Sequence, residues 1–201
     1  HLFGAAARID NKLAITESLL LDPIVKMIRS AGLDFDTLGK YMKGDREKVL
    51  KSGKQAKYDE AVQMIESVYN LADGLRMREG LVDAEGLAKI QKKREKKRAE
   101  SENHPLFEAL QDFESVVIES EQNRGLRDLA AFVEKAQALG TVHEITEDEP
   151  AGDNAVEFSK DGTKWAIEFN DAAIAESVRG MHSDKLDGAL RLVSKATRWV
   201  S

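Results

Sequence analysis

Apolar residues recur at helical spacing through most of the chain, and the longest such stretch runs from Asn103 to Gly140. Its apolar positions are Leu106, Leu110, Phe113 and Val117, followed by Leu126, Leu129, Val133 and Ala136. This spacing is close to the 3.6-residue period of a helix with one buried face. Asn103 or His104 is placed to cap the helix, Pro105 fits the first helical position, and Gly140 fits the end. The pattern therefore predicts one long amphipathic helix.

A polar segment, residues 119–125, interrupts this apolar stripe for about two helical turns. Gly125 within it should cost roughly 1 kcal/mol relative to Ala in a helix interior. We therefore expect one of two outcomes at this point. Either the helix kinks or breaks there, or Arg124 meets an acidic partner from another element.

The beginning of the chain predicts shorter helices. Residues 2–21 are rich in apolar side chains and indicate a helix that packs against something large. Asp22 and the proline after it resemble a cap and first helical position, and they predict a short helix that ends near Gly32. Asp34 or Asp36 is placed to cap the next short helix.

Residues 43–57 are polar and contain two glycines, which favours a mobile loop. Helical spacing returns at Tyr58. Gly74 and Gly80 are expected to punctuate the chain after it, and Asp83 is placed to cap the following helix.

The pattern changes after the long helix, where alternation replaces helical spacing. Residues 141–145 predict a short strand, and residues 144–153 hold five acidic residues without Lys or Arg, which predicts a solvated loop. Asp161 and Gly162 together are a hairpin turn signal. The alternating apolar residues around that turn are Val156, Phe158, Trp165, Ile167 and Phe169.

Two more helices are expected after the hairpin. Asn170 or Asp171 is placed to cap the first, and Asp184 opens the second. Leu186, Leu190, Val193, Ala196 and Trp199 are the apolar residues of that last helix. The predicted fold is therefore mostly α with a small antiparallel β-hairpin or three-stranded sheet in the C-terminal third, an α+β class. We expect a helical region over 1–101 and a second region over 102–201, or one continuous domain.

Composition narrows the classes of function. The net charge of -6 makes the whole chain a poor nonspecific nucleic-acid binder, although a local basic patch can still bind. The chain has no cysteine, which excludes disulfides and thiolate metal sites. No apolar run approaches the ~20 residues that span a bilayer. Because it begins at His1 rather than Met, we interpret it as a fragment of a longer protein.

Motifs for catalysis or cofactor binding are not found in the sequence. The four histidines, His1, His104, His143 and His182, lie far apart and form no metal-ligand pair of the HExxH kind. Neither a glycine-rich phosphate loop nor a GxSxG elbow occurs. The 36 acidic residues do not single out a catalytic pair. We therefore predict no catalytic residue, no metal and no cofactor.

The sharpest local feature is a basic run from Lys89 to Arg98. Its seven cations are Lys89, Lys92, Lys93, Arg94, Lys96, Lys97 and Arg98, against a single acid, Glu95. Over about three turns these charges are expected to surround a helix rather than to form a narrow stripe. Such a segment can contact phosphates. The alternative interpretation is a solvated helix end or linker, and the lack of interleaved aromatic residues argues against stacking on single strands.

The second half of the chain resembles a segment of very large polyvalent proteins of phages and mobile elements. The resemblance rests on three stretches: HPLFEALQDFESVVIESEQNRGLRDLAAFVEKA, the hairpin FSKDGTKWAIEFND, and AAIAESVRGM. The matching features are Asn123-Arg124 at the centre of the long helix, the Asp161-Gly162 turn, the helix-opening Asp171, and the final helix. The first half matches only loosely.

The resemblance implies a context more than an activity. Such proteins are packaged in the virion and delivered with DNA, or are carried by conjugative elements, and they place enzymatic domains between helical segments. The chain would be one of the non-enzymatic segments, with structural roles for Arg124, Asp161, Gly162 and Asp171. Its partners would be other parts of the parent protein or other virion proteins.

Three hypotheses follow. The first is a non-enzymatic structural or interaction module of a large phage-delivered protein. The second is a nucleic-acid-binding module that uses residues 89–98. The third is an enzyme domain whose acidic site the sequence does not reveal.

Overall fold

A computed structural model describes residues 3–146 and 148–183 of the chain. The described part is mostly helical with a small antiparallel sheet in its C-terminal third, so the predicted α+β class is confirmed. The helix predicted from Asp184 lies outside the described residues.

The elements follow one another with short connections. The helices are α1 (Phe3–Thr16), α2 (Asp22–Ser30), α3 (Phe35–Met42), α4 (Glu47–Ser52), α5 (Gln55–Arg78), α6 (Ala84–Glu100), α7 (Pro105–Lys135) and α8 (Ala172–Ser183). The strands are β1 (Gly140–Glu144), β2 (Ala155–Lys160) and β3 (Thr163–Phe169). A π-helical turn (Glu17–Leu21) joins α1 to α2, and a 3-10 turn (Gln137–Leu139) precedes β1.

The first two helices form one nearly continuous run. The prediction that Asp22 caps a separate helix is wrong, because the π turn carries the chain directly into α2 and no side chain caps it. The continuous run places Leu21 and Ile24 in the core, where each is 2% exposed. The predicted end of α2 is confirmed, since Gly32 adopts a left-handed φ of 60° and the N–H of Leu33 donates to the Ile28 carbonyl.

The predicted loop over 43–57 is also wrong, because it contains α4 and the start of α5. A single apolar residue explains the extra helix: Val49 is fully buried in the core, and one helical turn on either side of it satisfies the backbone. Gly53, with φ 67°, ends α4. The polar composition of the segment reflects its exposed face and not a lack of structure.

Cap residues are placed largely as predicted. Asp34 accepts a hydrogen bond from the Thr37 N–H at the start of α3, and Asp83 accepts one from the Gly86 N–H at the start of α6. Gly80, with φ 68°, follows the end of α5 as expected. Gly74 does not punctuate the chain, because it lies within α5 on the exposed side, where a missing side chain removes no packing.

The long helix α7 begins as predicted, with His104 as its cap and Pro105 at its first position. The predicted break at Gly125 is wrong, since α7 continues unbroken to Lys135 and buries that glycine. Gly140 does not end the helix either; it opens β1 opposite Phe169. A Cβ at Gly140 would lie 2.2 Å from the Glu168 carbonyl oxygen, so strand pairing is what requires glycine there.

The sheet has the order β1-β3-β2, with both outer strands antiparallel to β3. Asp161 (φ 54°) and Gly162 (φ 81°) form the turn between β2 and β3, as predicted. The predicted strand and acidic loop after α7 are confirmed as β1 and the segment that follows it. Apolar residues of the sheet pack with α7 and α8 in one cluster.

Two hydrophobic clusters meet along α7. The first contains residues of α1–α5 together with the N-terminal half of α7, up to Val117. The second contains the sheet, α8 and the C-terminal half of α7, from Leu126 onward. The polar segment 119–125 lies between them, so α7 belongs to both parts of the fold.

Candidate functional site

The polar segment of α7 is buried, although its composition suggests a solvent-facing interruption. Ser120 is 1% exposed, Glu121 is fully buried and Asn123 is 6% exposed. Most buried polar side chains are hydrogen-bonded or paired. The Ser120 Oγ has no hydrogen-bond partner among the described residues, so the partners of Glu121 and Asn123 decide what the segment does.

Glu121 receives two cations from α1. The Arg8 Nε lies 2.7 Å from its Oε2, and the Lys12 Nζ lies 2.6 Å from its Oε1. Burial raises the pKa of Glu121, but the hydrogen bonds from these two cations outweigh it and hold the pKa below its ordinary value. The carboxylate therefore stays ionised and ties α1 to the middle of α7.

Arg124 meets an acidic partner from another element, which was one of the two predicted outcomes. Its Nη2 lies 3.0 Å from both carboxylate oxygens of Glu79, just past the end of α5. This hydrogen bonding raises the pKa of the guanidinium. The polar segment is thus a junction at which α7 is joined to α1 and to the end of α5.

Asn123 holds the hairpin to the helices. Its Oδ1 accepts from the Ser159 N–H at 2.6 Å, and its Nδ2 donates to the Ser159 carbonyl at 2.8 Å. At the hairpin tip, the Gly162 N–H donates to the Gly80 carbonyl at 3.1 Å. A Cβ on Gly162 would lie 2.6 Å from the Asp83 backbone N, so the close approach requires glycine.

Asp171, predicted to open a helix, lies directly before α8. Its Oδ1 accepts a hydrogen bond from the Ala173 N–H at 2.8 Å, which satisfies one of the free donors of the first turn. The prediction is confirmed. With Arg124, Asp161 and Gly162, it completes the set of residues expected to have structural roles, and each of them makes a local or junction contact.

The basic run lies on α6, where its arginines turn inward. Arg94 donates to both carboxylate oxygens of Asp73, at 2.7 and 3.1 Å, and to Asp112 at 3.0 Å. Arg76 joins the same cluster through Asp112, at 2.5 and 3.1 Å. Burial raises the pKa of Asp73, but the hydrogen bonds from Arg94 and Gln91 outweigh it, so the net shift is downward.

Arg98 completes the attachment. Its Nη1 lies 2.6 Å from Glu66 of α5, and both Arg94 and Arg98 lie over the ring of Tyr69, at 4.5 and 5.3 Å from its centroid. Burial raises the pKa of the Tyr69 hydroxyl to about 12. We call the contacts of Arg94 and Arg98 with α5 and α7 the arginine clasp. No residue of α6 is fully buried in the described structure. The clasp contacts therefore attach this helix where most helices use an apolar stripe.

The lysines of the run all face solvent. Spacings of three and four residues connect them along one broad side of α6, and Lys93 and Lys97 at its edge also line the groove beside the clasp. This lysine face consists of Lys89, Lys92, Lys93, Lys96 and Lys97. Lys89 pairs with Glu85 at 2.7 Å, whereas the other four form no ion pair with any described residue. The cations therefore lie on both sides of the helix, as expected, with the arginines turned inward and the lysines outward.

A groove runs along the clasp between α6 and α7. One part, of about 350 Å³, is lined by Tyr69, Arg94, Lys97 and Asp112, among others. A second part, of about 320 Å³, lies between α6, α7 and β2. Of the charged groups along the first part, Arg76, Arg94 and Asp112 pair with one another, whereas Lys93, Lys97 and Glu119 form no ion pair with a described residue.

His104 caps the start of α7 and also contacts Phe35 of α3. Its Nδ1 accepts from the Leu106 N–H at 3.1 Å, and its Nε2 lies 3.0 Å from the Phe35 carbonyl. The ring stacks on Phe35 with centroids 3.7 Å apart. Burial lowers the pKa of His104 to about 4, so the imidazole is neutral at pH 7.

The sequence interpretation missed the acids that organise this site. Asp73 and Arg76 lie three residues apart on the buried side of α5, beside Ala72 and Leu75. Charges placed on an apolar stripe are a signal of internal pairing, and that signal was available in the sequence. Asp112 offered no comparable signal, because its partners come from α5 and α6.

Within residues 3–146 and 148–183, no cluster of three or more potential ligands is arranged to hold a metal ion. The same residues include no helix that is long and apolar enough to cross a membrane. Comparison of the chain with protein-family models, with curated proteins and with solved structures found no match.

Proposed function

We propose that the chain is a non-enzymatic structural or interaction module of a large phage-delivered protein, carried in the virion and delivered to the host cytoplasm. The context comes from the resemblance described above. The observation that supports the non-enzymatic part is that the charged groups of two clusters, around Asp73 and around Glu121, pair with one another. Asp73, Arg76, Arg94 and Asp112 neutralise one another, and Glu121 is neutralised by α1. Such ion-pair networks fix the arrangement of helices. The binding partners of the module would be other parts of the parent protein or other virion proteins.

Two measurements test this proposal. Mass spectrometry of particles purified from a culture of the parent phage should detect peptides of this chain, and their absence from the particles would contradict the virion assignment. The purified chain should show no turnover in hydrolase and phosphotransfer assays. Turnover that Asp112→Asn abolishes, with the fold retained, would overturn the non-enzymatic assignment.

A second candidate is a nucleic-acid-binding module, and the lysine face favours it. Four of its lysines, Lys92, Lys93, Lys96 and Lys97, are exposed and have no acidic partner among the described residues. Unpaired cations on one helix face can neutralise phosphates and release counterions, which drives association at low salt. The acidic remainder of the chain opposes this attraction, so binding would be confined to α6.

A gel-shift titration tests the second candidate. The variant replaces Lys92, Lys93, Lys96 and Lys97 with Ala, and a matched control replaces four exposed lysines elsewhere. The control positions are Lys26, Lys40, Lys57 and Lys135. Both variants change the net charge equally, so a loss of affinity in the first alone assigns binding to the lysine face. Equal affinities of the two variants would refute it.

A further inference from the structure

We infer that the lysine face contacts the sugar–phosphate backbone of a duplex nucleic acid and that single strands bind to it more weakly. This inference rests on the nucleic-acid-binding candidate and names its ligand class. Two features of α6 support it: the geometry of its lysines and the way in which the helix is held.

The lysine face is long enough to meet several phosphates. Lys89 and Lys97 are eight residues apart, which corresponds to about 12 Å along the helix axis at 1.5 Å per residue. The ammonium groups are point charges that need no defined partner geometry. Duplex DNA offers about one phosphate charge per 1.7 Å of its axis, so a broad row of cations on one helix face meets the highest charge density on a duplex.

The arginine clasp holds this row in place. Arg94 and Arg98 fasten α6 to Asp73, Asp112 and Glu66, and these contacts fix which side of the helix faces solvent. A fixed cationic row suits a stiff duplex whose phosphates are already spaced. A flexible arm would gain as much from a single strand, because it can adapt to it.

The lysine face also lacks what single-strand binding uses. Recognition of single strands relies on aromatic rings on which bases stack. None of the described residues of α6 is aromatic, and the ring of Tyr69 beneath the helix is covered by Arg94 and Arg98. Contacts from the lysine face are therefore limited to phosphates.

The test compares a short DNA duplex of mixed sequence with one of its separated strands. Binding to the chain is measured by fluorescence anisotropy between about 50 and 200 mM salt. We expect tighter binding to the duplex, with the logarithm of affinity falling linearly with the logarithm of salt concentration. Replacing the four unpaired lysines of the lysine face with Ala should reduce that slope by about 3.6, because each of the four lost phosphate contacts removes about 0.9.

The outcomes separate this inference from the function it rests on. Equal or tighter binding to the single strand, still lost in the lysine variant, would overturn the duplex inference and leave nucleic-acid binding standing. Absence of binding to either probe, or binding that the lysine variant retains, would overturn both.

A separate variant tests whether the arginine clasp positions the lysine face. Arg94→Gln should free α6 and reduce the difference in affinity between duplex and single strand, with Lys26→Gln as the charge-matched control. Circular dichroism first verifies that the variant keeps its helical content. An unchanged preference for the duplex in Arg94→Gln would refute the positioning role of the clasp.

Discussion

Replacing Glu114 with Gln should stabilise the protein above neutral pH. Glu114 lies on the buried side of α7, is 4% exposed, and its Oε1 has no hydrogen-bond partner among the described residues. Burial raises the pKa of this carboxyl from 4.5 to about 7. Glu121, one heptad further along the same helix, is equally buried but paired, and its pKa is lowered. The contrast isolates the effect of a missing partner.

The direction of the effect follows from proton linkage. Below about pH 4.5 the carboxyl is protonated in both the folded and the unfolded chain, so its burial has no pH-dependent cost. Between about 4.5 and 7 the unfolded chain ionises while the folded chain keeps its proton, so the free energy of unfolding falls as pH rises. Above about pH 7 both states are ionised and the loss is complete.

The size of the effect follows from the same two pKa values. They are about 2.5 pH units apart, and each unit corresponds to about 1.4 kcal/mol, so ionised Glu114 costs about 3 kcal/mol of stability at pH 8. Gln has the same shape without the charge. Glu114→Gln should therefore regain most of this free energy at pH 8 and gain little at pH 4.5.

Urea unfolding followed by far-UV circular dichroism measures this difference at pH 4.5, 6 and 8. Glu134→Gln is the matched control, since it removes an exposed carboxylate from the same helix. A stability gain at pH 8 in Glu114→Gln that does not exceed the gain in Glu134→Gln would refute the reasoning. So would a gain that is independent of pH.

Three further predictions concern His104, the glycines and the hairpin junction. Neutral His104 should stabilise the folded chain fully above about pH 6.5, and this stabilisation should be lost as pH falls toward 4. His104→Asn keeps a capping side chain, so urea unfolding of this variant should lack the same acid dependence. Gly162→Ala should lower the free energy of unfolding by roughly 1–3 kcal/mol, because φ is positive there and a Cβ would meet the neighbouring backbone. Gly74→Ala should raise the free energy of unfolding by roughly 0.5–1 kcal/mol, because Gly74 lies in a helix with open space around it. Equal effects of the two alanines would contradict the packing argument. Asn123→Ala should cost roughly 1–3 kcal/mol by leaving the Ser159 N–H unpaired, and faster amide hydrogen exchange at Ser159 would verify the cause.

Local signals in the sequence were sufficient for most element boundaries. The start of α7 at His104 and Pro105, the caps Asp34 and Asp83, and the Asp161-Gly162 turn all depend on residues within a few positions of one another. The hydrogen bonds of caps and turns are made by neighbouring residues in the chain, so caps and turns can be predicted without knowing the fold.

Where the local interpretation was wrong, a distant contact decided the outcome. Gly125 allows α7 to continue because the segment around it is held from both sides, by α1 through Glu121 and by the α5 end through Arg124. Val49 folds a polar stretch into α4 because the core accepts its side chain. Gly140 belongs to a strand because Phe169 pairs opposite it. Helix propensity is too weak to resist such contacts.

In the candidate site, too, local features were predicted and distant contacts were not. The residues alone indicated a cationic segment at 89–98 and an α+β fold, and they called for an acidic partner of Arg124 if the helix did not break. Which of the cations are free depends on how α6 packs against α5 and α7. Arg94 and Arg98 turn inward because their acids lie 21–32 residues earlier on α5 and, for Arg94, 18 residues later on α7. Asp73 is the buried acid of this set, and the cation beside it keeps its carboxylate ionised. The lysines remain exposed because no described acid except Glu85 forms an ion pair with them, and an unpaired ammonium is most stable in water.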